Sequence, residues 1–76
     1  MSGFWIQVSP SGHVTGSVYA SALAADTEAG AHRRFTPDRT SRATETATGV
    51  RHVRLERPQW QQQARPCLLG DCQHTP

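Results

Sequence analysis

Cys67, Cys72 and His74 are the densest group of chemically capable side chains in the sequence, with Gly70 in the loop between the two thiols. Zinc takes thiolate sulfur and imidazole nitrogen in a tetrahedron, and this cysteine separation lies at the edge of the usual ligand spacing. His74 would supply a third ligand, and His52 or Asp71 a fourth. Structural zinc sites draw on two such pairs, and here there is one and a half. Reduced thiols are therefore expected ahead of a local disulfide or a zinc ion, and no cofactor is expected. A single cysteine pair without an export signal does not establish a disulfide framework.

Arg51, Arg54 and Arg57 recur every third residue, with Trp60 just beyond. On a helix they would line one side, as in an arginine-rich segment that contacts nucleic acid, and Trp60 could stack on a base. On a strand they alternate faces and the stripe disappears. Val50, Val53 and Pro58 favour the strand, where such charges guard an edge. Arg33-Arg34-Phe35-Thr36-Pro37 has the form of a basic- or proline-directed kinase site with Thr36 as acceptor. A phosphate there would bring about two negative charges beside two arginines. Serine, histidine and aspartate are present too, but no G-x-S-x-G elbow and no phosphate-cradling glycine loop holds them. Catalysis also needs a rigid, water-excluding pocket that so short a chain builds with difficulty. The expectation is a chain that is not an enzyme.

The elements that would position these residues must come from 76 residues, room for one domain with a marginal core. The hydrophobic fraction of 36% is inflated by alanine. The larger aliphatic residues and phenylalanine number twelve, about 16% of the chain and under the roughly 20% below which disorder is common. Net charge is only +2, and every basic residue is arginine, confined to the middle of the chain. Arginine-only basicity suits phosphate or carboxylate recognition, but it also follows from GC-rich coding. No apolar run approaches the roughly 20 residues of a membrane span. The uncharged N-terminus lacks the basic start and unbroken apolar stretch of a signal peptide. A cytoplasmic chain is expected, small enough to enter the nucleus and not secreted.

Phe4, Ile6 and Val8 alternate with Trp5 and Gln7, and Val14, Gly16 and Val18 alternate after the turn Ser9-Pro10-Ser11-Gly12. This predicts a β-hairpin over residues 3–19, with Gly16 marking either a bulge or a weak point. The alanine-rich stretch 20–34 predicts one helix, ended by Pro37. Residues 36–49 contain no large apolar side chain and read as a disordered linker. Val53 and Leu55 alternate with His52, Arg54 and Glu56, predicting a third strand within 50–57, and residues 58–76 read as an irregular tail.

The sequence thus describes a small α+β unit over residues 1–57: hairpin, helix and third strand, with a disordered connector and a flexible tail. The expected function is a small module that binds a protein partner through an exposed strand edge or Trp5. The alternative is an arginine-rich nucleic-acid-binding protein using Arg51, Arg54, Arg57 and Trp60, braced by zinc at the tail. A reading frame without selected function is the third.

Overall fold

The structure, a computed structural model, describes residues 3–23 and 25–70. Strand β1 (Phe4–Val8) is central in a three-stranded antiparallel sheet of order β2-β1-β3, flanked by β2 (Val14–Tyr19) and β3 (Arg51–Leu55). Phe4 lies opposite Tyr19 on one side and Leu55 on the other. At the far end Gln7 pairs with Gly16 but Val8 with Val14, so Thr15 is the extra residue of a β-bulge. The turn closes with Gly12 N–H donating to Ser9 O, and Gly12 takes φ 90°, a conformation that favours glycine.

Helices cover both faces of the sheet. The face of Ile6, Val14 and Leu55 packs against Ala64 and Cys67, from the C-terminal segment α4 (Arg57–Gln63) and α5 (Arg65–Leu68). The face of Trp5 packs against Leu23 of α1 (Ala20–Leu23) and Ala31 of α2 (Glu28–Phe35). Trp5 is therefore only 5% exposed, and its indole N–H donates to Ala25 O at 3.2 Å. That corrects the expectation that Trp5 is a surface contact. Alternation in one strand shows that its faces differ, not that the second one is bare.

Three further expectations are corrected. The single helix over 20–34 is two, because the Thr27 side chain accepts from Gly30 N–H and starts a new helix at Glu28. The disordered linker contains a third helix, α3 (Arg39–Thr48), although it buries no residue. Asp38 caps its first turn by accepting from Ser41 N–H at 2.8 Å, and Gly49 closes it in the left-handed conformation at φ 101°. Arg42 ties it down by donating to the carbonyls of Thr36 and Pro37. The segment read as an irregular tail is helical as far as Leu68. Glu56 and Gln59 form a reciprocal capping box, with Pro58 in the first turn. Pro58 starts a helix as well as ending a strand. Among the described residues, no helix is long and apolar enough to cross a membrane.

Candidate functional site

The two outer strands leave two sheet edges, and they are treated differently. Ala20 N–H donates to Gly3 O. Antiparallel pairs alternate between bonded and unbonded, so Val18 and Gly16 turn their backbone groups toward β1. Ser17 and Tyr19 then turn theirs outward. The same alternation sends Gln7 toward β2 and leaves His52, its partner on β3, facing away from β1.

That outward His52 N–H does not meet solvent. It donates to Glu28 Oε2 at 2.9 Å, while Arg51 grips the same carboxylate through Nε at 2.7 Å and a terminal nitrogen at 2.8 Å. The Arg51 guanidinium and then the His52 backbone hold the Glu28 carboxyl down at about 2. A carboxylate on the His52 N–H, with arginines on the strand itself, is the kind of charge that guards a sheet edge against another strand. Strand β2 has no such guard. From His13 to Tyr19 it carries no Asp, Glu, Lys or Arg, and no strand among the described residues covers it.

Beside β2 runs an open groove of about 670 Å³ lined by Ser17, Tyr19, Trp60 and Leu68, with Arg57 and Arg65 at its wall. Its floor is built from aromatics. Phe4 stacks on Trp60 with centroids 4.5 Å apart and packs against Tyr19 at 5.0 Å. Trp60 is anchored by donating its indole N–H to Ser17 Oγ at 2.8 Å, and the Arg57 guanidinium lies 5.6 Å from the Phe4 ring centre. Tyr19 is 57% and Leu68 42% exposed, so two apolar side chains of neighbouring elements stand open at the groove. Among the described residues, no carboxylate lines it.

The second polar cluster lies on the opposite face of the sheet. His52, a candidate fourth zinc ligand in the sequence, is only 3% exposed, and its ring stacks on His32 at 4.4 Å and against Phe35 at 5.2 Å. Thr15 donates to Gln7 Oε1 at 3.1 Å, which turns the Gln7 amide nitrogen toward His52 Nε2 at 3.3 Å. An amide N–H needs an acceptor there, so His52 is neutral at Nε2. Burial first, and the neighbouring His32 second, push the His52 imidazole below its ordinary range. His32 Nε2 and Thr36 Oγ1 both donate to Glu45 Oε1, at 2.7 and 2.8 Å, and hold its carboxyl low. Every buried side-chain polar atom among the described residues has a partner. This cluster knits α2, α3 and β3 together.

The residues singled out from the sequence are scattered. Arg51 is bound to Glu28, Arg54 stands 3.9 Å from Glu56, and Arg57 opens α4. Strand alternation sets Arg51 and Arg54 on opposite faces, so the arginines form no stripe. Trp60 belongs to the groove. Thr36, expected in an open linker, is half-buried with its hydroxyl on Glu45. Cys67 is buried in the core at 5% exposure, whereas Cys72 and His74 lie outside the described residues. Among the described residues, no three His, Cys, Asp or Glu side chains come together as metal ligands would. Comparison with protein-family models, curated proteins and solved structures finds no match.

Proposed function

We propose that the protein is a binding module that captures an extended segment of a protein partner along the outer edge of β2. It would act in the cytoplasm, from which a chain of this size can reach the nucleus. The observation that carries the reading is the contrast between the edges: at β3 Glu28 occupies the His52 N–H, and β2 carries no charged side chain and lies beside a groove with an aromatic floor and two arginines. Strand addition draws affinity from backbone hydrogen bonds and specificity from pockets for alternate side chains. The open β2 edge offers the first, and the groove beside it offers the second.

Nucleic acid finds less support. Two of the three central arginines are engaged by carboxylates or turned to different faces, and the Trp60 ring is covered by Phe4. Tyr19, the one exposed aromatic ring among the described residues, is by itself a poor platform for successive bases.

The chain is short enough for chemical synthesis, which allows one backbone donor to be removed at a time. A displayed library of random decapeptides serves as probe. Peptides selected on the native chain should fail to bind a chain with N-methyl-Ser17 and should still bind one with N-methyl-Arg54. Equal binding to both would rule out capture at β2.

A further inference from the structure

Resting on that reading, we infer that the segment captured at β2 is acidic, with two carboxylate side chains flanking an aliphatic or aromatic one on the side facing α4 and α5. Among the described residues, the groove wall carries two cations, Arg57 and Arg65, and no carboxylate. Arg51 and Arg54, by contrast, have acidic neighbours in Glu28 and Glu56. Among the described residues, the positive charge beside β2 meets no carboxylate, and an acidic occupant would complement it.

Spacing narrows the occupant. Arg57 opens α4 and Arg65 opens α5, and only Ala64, itself in right-handed helical conformation, separates the two elements. Eight residues separate the two arginines, and Pro66 in the first turn of α5 interrupts the helix, so about 12 Å is the upper bound set by a straight helical rise. In an extended segment, side chains at i and i+4 share a face and lie about 13 Å apart. The side chain between them, at i+2, would meet the apolar floor where Tyr19 and Leu68 are exposed and Trp60 is half-buried. Guanidinium suits a carboxylate because it presents paired donors in one plane. An added strand whose face reads acidic–apolar–acidic satisfies edge, floor and wall together.

The probe is a threonine-flanked peptide containing Glu-Thr-Leu-Thr-Glu, compared with its Gln-Thr-Leu-Thr-Gln and Lys-Thr-Leu-Thr-Lys counterparts and with oligothymidylate, titrated into the full chain by amide chemical-shift perturbation. The acidic peptide should bind at least fivefold tighter than the glutamine form, and the lysine form should bind weakest. That preference should disappear in the R57Q/R65Q chain. Because Arg57 also lies against Phe4, the peptide series decides the matter if that variant folds poorly. Equal binding of acidic and neutral peptides, both lost on N-methylation of Ser17, would overturn the acidic preference and leave capture at β2 standing. Charge-dependent binding indifferent to N-methyl-Ser17 would overturn capture at β2 and this inference with it. So would tighter binding of oligothymidylate, self-association that occupies β2, or no peptide binding at all.

Discussion

The Glu28 carboxylate lies 2.9 Å from the backbone nitrogen of His52, so an outward-facing N–H on one edge of a three-stranded sheet is met by a side chain instead of a strand. Arg51 holds that carboxylate in place from two nitrogens. The two edges of the sheet are thereby made unlike, and the proposed capture at β2 rests on that difference.

Glu28→Gln should weaken the guard without emptying its place. The carboxyl is held at about 2, below its ordinary 4.5, so the folded state resists its protonation. The stabilisation is complete above about pH 4.5 and is lost as pH falls toward 2. Arg51 and Glu28 are solvent-accessible, so screening limits the effect to about 1 kcal/mol. Urea unfolding should show that gap between native chain and variant at pH 6, closing by pH 2. A gap independent of pH would show that the charge is not what matters.

His52 should make the fold sensitive to mild acid. Its imidazole is depressed by burial and by His32, against the opposing pull of Glu28 and Glu45, and it accepts from Gln7. The unfolded chain takes up the proton first, so stability present above about pH 6.5 declines below it. Unfolding midpoints at pH 7.5 and 5.5 should differ in the native chain. His52→Gln, although destabilising from the lost ring stack, should flatten that dependence. An unchanged slope would place the sensitivity elsewhere.

Trp60 and Ser17 join α4 to β2, and the floor of the groove depends on that bond. Ser17→Ala and Trp60→Phe, singly and together, should give a coupling energy of about 1 kcal/mol by double-mutant cycle, the usual worth of one hydrogen bond. Additive losses would mean that the bond does not form in solution.

Helix α3 is held by its ends. Asp38→Ala removes the acceptor for Ser41 N–H and should destabilise the first turn of the helix. Helical circular dichroism should drop, and amide protection should be lost across residues 39–48 before the sheet is affected. Unprotected amides there in the native chain would restore the disordered linker.

The hairpin could be read from the sequence because Phe4, Ile6 and Val8 alternate cleanly and a Pro–Ser–Gly turn follows. The remaining elements were written in less visible terms. Helix α3 has no apolar stripe, and its signals are two single residues, Asp38 after Pro37 and Gly49 at the far end. Thr27 before Glu28 was likewise a cap hidden in an alanine-rich run. Trp5 reads as a surface contact in the sequence because the second face of the strand looks bare. Alternation assigns faces within a strand, but only tertiary structure says that helices cover both. The groove was legible in part: Trp60 stood out, while its partners Phe4, Ser17 and Tyr19 come from the other end of the chain. Which sheet edge is open depends on Glu28 meeting His52 across 24 residues, and no local pattern carries that.

The central claim is that β2 receives a strand and β3 does not, and amide hydrogen exchange at four residues tests it most directly. The native chain is saturated with the Glu-Thr-Leu-Thr-Glu peptide and exchange is followed at Ser17, Tyr19, His52 and Arg54. Exchange should slow at Ser17 and Tyr19, whose N–H groups gain a partner, and remain unchanged at His52 and Arg54. Slowing at Arg54 with Ser17 and Tyr19 unaffected would contradict the account.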